Sequence, residues 1–116
     1  MTENNGTPKV GESARTLGVR HNIDIPIGEN GMVHPNTGGM SVSPSPNDLP
    51  IHRKPTAYGG TGKDPVWSIN INDLGSDLKY VPDSPGHGTI QPTRTMTFED
   101  YQKALEETLL RWGLDK

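Results

Sequence analysis

No cysteine occurs among the 116 residues, which excludes disulfides and thiolate chemistry and leaves the compartment open. Apolar residues are also few. They make up 29% of the chain, the mean hydropathy is -0.71, and 14 glycines and 11 prolines accompany them. Such a composition approaches the range in which burial fails to offset the entropy of ordering the chain. It predicts a single loop-rich domain over residues 12–116, preceded by a frayed, disordered tail from Met1 to Gly11. Lysine and arginine form no run of five, the net charge is -3 and the pI about 5.7. An electrostatic grip on nucleic acid is therefore not expected. No apolar stretch approaches the length that crosses a membrane. The polar, acidic start from Met1 to Gly6 does not resemble a secretory signal. The expectation is a cytoplasmic protein, whose export to another cell would need a route without a cleaved leader.

Local periodicity supplies the secondary structure. Leu17, Val19, Ile23 and Ile25 alternate with Arg20, Asn22 and Asp24, which predicts a strand with His21 on its apolar side and Pro26 at its end. Between Pro26 and Pro65, seven prolines and seven glycines in forty residues exclude a helix. A short strand over Ser41–Ser43 and an extended segment over Asp48–Pro55 fit there. Trp67, Ile69 and Ile71 alternate with Ser68, Asn70 and Asn72, the two-residue period of a half-buried strand. Strands over Asp77–Val81 and His87–Gln91 follow, with a loop over Pro82–Gly86 between them.

A helix is expected from Phe98 to Trp112. Thr97 is a good N-cap, Asp100 stands where a capping-box carboxylate belongs, and Gly113 is placed as terminator. Phe98, Tyr101, Leu105, Leu109 and Trp112 form an apolar stripe at spacings of three and four. Each large side chain of that stripe, if buried, contributes roughly 1.5–3 kcal/mol. The fold class expected is α+β: a small twisted antiparallel or split sheet with one C-terminal helix packed on it.

Two segments carry candidate chemistry. In Val33-His34-Pro35-Asn36-Thr37-Gly38-Gly39-Met40-Ser41-Val42 a turn runs into a strand whose first polar side chain is Ser41. Gly38 and Gly39 leave room for a ligand beside the backbone, although a plain hairpin corner would use the same residues. In Gly86-His87-Gly88-Thr89-Ile90-Gln91-Pro92, His87 and Thr89 share one strand face, and glycines leave the imidazole accessible. Other patterns point nowhere specific. Tyr58-Gly59-Gly60-Thr61-Gly62-Lys63-Asp64 has the wrong spacing for a phosphate loop, because Ala57 stands at the first glycine and Asp64 at the metal-binding hydroxyl. His21, His34, His52 and His87 are scattered with no metal-ligand spacing, so no metal is expected.

Taken in order and followed by a helix, the blocks Pro35–Val42 and His87–Met96 resemble those of small toxins delivered by bacterial type VI secretion. That family is similar in fold to NAD-dependent ADP-ribosyltransferases. The resemblance implies an ADP-ribosyltransferase-like fold, NAD as substrate, and ADP-ribosyl transfer or NAD glycohydrolysis in a target cytoplasm. It assigns Ser41 to bracing the NAD pocket and Arg20, with Arg15 as second choice, to the dinucleotide phosphates. His87 would bond ribose or acceptor, and Tyr58 or Tyr80 would stack on nicotinamide. It further implies a neutralising immunity protein as partner. Met40 stands where a second hydroxyl is expected, and no Gln-x-Glu or Glu-x-Glu occurs late in the chain, so the catalytic carboxylate is unassigned. The alternatives are an RNA-cleaving toxin using His87, Arg94 and Arg53, and a non-catalytic protein-binding module.

Overall fold

The computed structural model describes residues 1–114. Strands β1 (Glu3–Asn4), β2 (Thr7–Pro8), β3 (Met32–Val33), β4 (Met40–Val42) and β5 (Trp67–Ser68) precede two longer ones, β6 (Leu78–Ser84) and β7 (His87–Pro92). They are followed by β8 (Met96–Thr97), helix α1 (Phe98–Glu106) and β9 (Gly113–Leu114). All pairings between these strands are antiparallel: β1 with β2, β3 with β8, β5 with β9, and a three-stranded sheet in the order β4–β7–β6. The architecture is thus α+β, several small sheets with one C-terminal helix.

The central sheet is sorted by its two-residue period. Met40, Ile90 and Leu78 are buried in the core, and Tyr101, Ala104 and Leu105 of α1 join the same cluster. Burial of each large side chain there contributes roughly 1.5–3 kcal/mol. The helix starts as its sequence dictates: Thr97 Oγ1 accepts from the Asp100 amide at 3.1 Å, and Glu99 and Asp100 occupy the positive first turn.

Four local expectations are corrected. Met1–Gly11 is not a frayed tail. Asn5 and Gly6 turn β1 onto β2, Pro8 is fully buried, and the Met1 carbonyl accepts from Trp67 Nε1 at 2.8 Å. Leu17–Ile25 is not a strand. Leu17, Val19 and Ile25 are buried, but Asn22 takes φ +59° and the Asp24 carboxylate accepts from the Arg20 amide at 2.7 Å. That closes a turn and leaves Ile23 69% exposed.

The Trp67–Ile71 alternation is cut short because Asn70 Oδ1 accepts from the Asn72 amide, capping a 3-10 turn over Ile71–Asp73. Finally, α1 ends at Glu106, not Trp112. Thr108 Oγ1 donates to the Leu105 carbonyl at 2.6 Å and accepts from Trp112 Nε1 at 2.8 Å, which favours a 3-10 turn over Leu109–Arg111. Gly113 opens β9 instead of ending the helix.

Candidate functional site

Directly opposed residues of adjacent antiparallel strands point to the same face, and so do residues two apart on one strand. Ser41 of β4 opposes Thr89 of β7, and Thr89 opposes Val81 of β6. Ser41, Thr89, His87 and Gln91 therefore share the face opposite the core, and Ser41 and Thr89 lie about 5 Å apart at Cβ. The turn before β4 folds against this face. Gln91 Oε1 accepts from the Asn36 amide at 2.8 Å, Gln91 Nε2 donates to Thr89 Oγ1 at 2.9 Å, and Lys79 Nζ donates to Asn36 Oδ1 at 3.2 Å. Thr89 and Gln91 are buried by this packing, whereas Ser41 stays exposed.

His87 is anchored from β6. Strand β6 continues through Pro82, tolerated because β6 is an edge strand, and Pro85-Gly86 makes the turn in place of the longer loop expected. A bulge between Pro82 and Ser84 brings Asp83 Oδ1 to 2.7 Å from His87 Nδ1. An ionised carboxylate only accepts, so Nδ1 carries a proton and donates; in the neutral tautomer with this bond, Nε2 keeps its lone pair. The hydrogen bond from His87 holds the Asp83 carboxyl below the usual aspartate range. A depressed carboxyl stabilises the fold above its ordinary pKa of about 3.9, and that contribution is lost as pH falls through the lower folded value. Carbon-detected NMR should accordingly find the Asp83 titration midpoint below that of a free aspartate. His87→Ala should bring it back up.

The paired glycines have a different role from the one expected. A side chain on Gly38 would run into the Asp24 carbonyl, and one on Gly39 into the Ile90 carbonyl and the Tyr101 hydroxyl. The space that a ligand would use is filled by this chain's own backbone. Gly39 instead donates its amide to the Asp24 carbonyl at 2.9 Å. Beside it, Tyr101 accepts from the Met40 amide at 3.1 Å and donates to the Ile90 carbonyl at 2.6 Å. Its hydroxyl thus bridges a directly paired couple, Met40 at the start of β4 and Ile90 within β7. Burial pushes the Tyr101 phenol well up from its ordinary value, so it stays a neutral donor.

Arg20 lies in a loop bonded to α1 through the Val19 amide, which donates to Gln102 Oε1 at 3.1 Å, and to the Gly38–Gly39 turn through the Asp24 carbonyl; no hydrogen bond among the described residues joins it to Ser41 or His87. Its guanidinium makes paired bonds to Asp24, Nη2 to Oδ1 at 2.9 Å and Nε to Oδ2 at 3.2 Å. Two of five N–H donors are occupied, and the other three have no partner among the described residues. The hydrogen bond to Asp24 raises the Arg20 pKa further, so the group is cationic throughout.

The other sequence candidates are not gathered here. Tyr80 opposes Ile90 on the core face, and its ring covers Gly88, so it lies on the far side of the sheet from Ser41 and His87. Tyr58 sits in a 3-10 turn, Thr56–Tyr58, whose backbone bonds stay within the long loop. Arg15 pairs with Asp64, at 2.7 Å for each of two bonds. The trio suggested for RNA cleavage is dispersed: Arg53 lines a cleft with Arg15, Arg94 lines another with Asp77, and His87 lines neither. Asp83, Gln91 and Tyr101 were not singled out from sequence as site residues. For Asp83 a signal existed, since a Pro-Gly turn two residues later places it across from His87.

The mixed fold of small antiparallel sheets with one C-terminal helix is consistent with an ADP-ribosyltransferase-like toxin domain. Residues 1–112 match the family model described as Tse2 ADP-ribosyltransferase toxin, and the chain belongs to that family of type VI effectors. The match includes the N-terminal hairpin. No curated protein and no solved structure matches the chain. Among the described residues, no helix is long and apolar enough to cross a membrane.

Proposed function

We propose that the chain binds NAD across the polar face of the β4–β7–β6 sheet and breaks its nicotinamide–ribose bond. ADP-ribose then passes to an acceptor in the target cytoplasm or to water. The observation that carries this reading is the shared face of Ser41 and His87 in a chain matching the toxin family over residues 1–112. The groups there suit the ligand. The exposed Ser41 hydroxyl suits a ribose, and Arg20, in the loop bonded to the Gly38–Gly39 turn, has guanidinium donors for a diphosphate beyond the two that Asp24 takes.

When the C1′–N bond breaks, nicotinamide leaves with the electron pair and positive charge develops on the sugar. A fixed negative charge lowers that barrier most where it meets the transition state and not the substrate. Asp83, held ionised by His87, supplies such a charge at the far end of the face. As the acceptor attacks C1′ it gives up a proton, and the free Nε2 of His87 takes it. A neutralising protein that covers this face would block the reaction.

The test is nicotinamide release from NAD. Wild type is expected to release it, and His87→Ala to be slower by about a hundredfold, the usual scale for losing a positioned acid–base group. Ser41→Ala and Arg20→Ala are expected to lose about tenfold each, with Arg20→Ala acting mainly through KM. A folded wild type without release, across a range of added acceptor extracts, would leave the protein-binding module standing.

A further inference from the structure

The glycine loop Gly59–Asp64 takes no part in the sheet site, yet its residues 61–64 form one wall of a cleft of about 250 Å³. Arg15, His52, Arg53 and Lys63 line the cleft, and Asp64 is the one carboxylate in its wall. The loop is seated tightly. Side chains on Gly60 or Gly62 would run into the backbone of the Ile51–Lys54 turn, so the glycines let the two segments touch and fix Arg53 and Lys63 at one opening.

A phosphate loop cradles its ligand with backbone amides, but here those donors are occupied. Gly59 donates to Thr56, Gly60 to Pro55, Thr61 to Ile51 and Gly62 to Lys54. Recognition in this cleft falls to side chains. Asp64 takes two of the five Arg15 donors and orients the rest. Neither Arg53 nor Lys63 has an ion-pair partner among the described residues. Three cations against one carboxylate leave a surplus of positive charge in a chain whose net charge is -3.

We propose that the cleft between Arg15, Arg53 and Lys63 binds the phosphate groups of a small-molecule ligand. Phosphate oxygens match guanidinium and ammonium donors in charge and hydrogen-bonding capacity. A nucleic-acid strand is the poorer fit, because the surplus charge is confined to one cleft and no basic run extends it. The site shares no residue with the sheet face and does not depend on the NAD reading.

The experiment is calorimetric titration of the full chain with inorganic pyrophosphate, at low and at high salt. Wild type is expected to bind, with affinity falling as salt rises. The double variant Arg53→Ala/Lys63→Ala should weaken binding by about tenfold or more. Neither side chain of the double variant has an ion-pair partner among the described residues, and circular dichroism checks its fold. Lys63→Glu alone serves as a second probe. NAD that displaces pyrophosphate identifies the dinucleotide's own diphosphate as the occupant; NAD that does not points to a separate phosphorylated molecule. The proposal is overturned if wild type does not bind pyrophosphate, or if the variants bind it equally well. It is also overturned if single-stranded RNA binds far more tightly through the same cations.

Discussion

Tyr101→Phe is expected to lower the melting temperature by roughly 10–20 °C while leaving the ring in place. The phenol bridges the Met40 amide and the Ile90 carbonyl, and both are buried where β4 and β7 begin to pair. Removing the hydroxyl leaves a donor and an acceptor without partners, at about 1–3 kcal/mol each. In a domain of this size 1 kcal/mol moves Tm by about 4 °C. Differential scanning calorimetry reads the effect. A shift of only a degree or two would mean that β4 closes onto β7 without the bridge.

Gly39→Ala is expected to be as damaging, for a steric reason. The added carbon meets the Ile90 carbonyl oxygen, a backbone atom, so no rotamer change relieves the clash. Overpacking of this kind costs about 3 kcal/mol at the upper end of its usual range. The loss should appear as a lower denaturation midpoint with an unchanged urea slope. Gly113→Ala is the control, because nothing lies within 4 Å of the added carbon there. Equal stability of the two variants would contradict the placement of Gly39 against β7.

The strongest sequence signals were those of single strands and caps. Thr97 marks the helix start because its hydroxyl is a ready acceptor for a free amide, and the structure uses it so. Ser41 and Thr89 fall on one face because the strand period is two, although their pairing across forty-odd positions was not readable from either block alone. What local pattern missed was side chains competing for backbone. Asp24 takes the Arg20 amide, Asn70 the Asn72 amide, and Thr108 the Leu105 carbonyl, each cutting an apparently regular segment short. The N-terminal hairpin was hidden for another reason. β1 and β2 are two residues long, and their partners for burial, Trp67 among them, lie far along the chain. Gly38 and Gly39 show why the ligand expectation arose: close backbone approach within the chain and room for a ligand leave the same trace in sequence.

Backbone amide chemical-shift mapping with added NAD distinguishes occupation of the polar sheet face from every other mode of binding. The largest saturable shifts are expected at Ser41, Thr89 and His87, with Arg20 and Gly39 following. Shifts confined to the core-side residues around Tyr80, or no saturable shift anywhere in folded protein, would contradict that occupation.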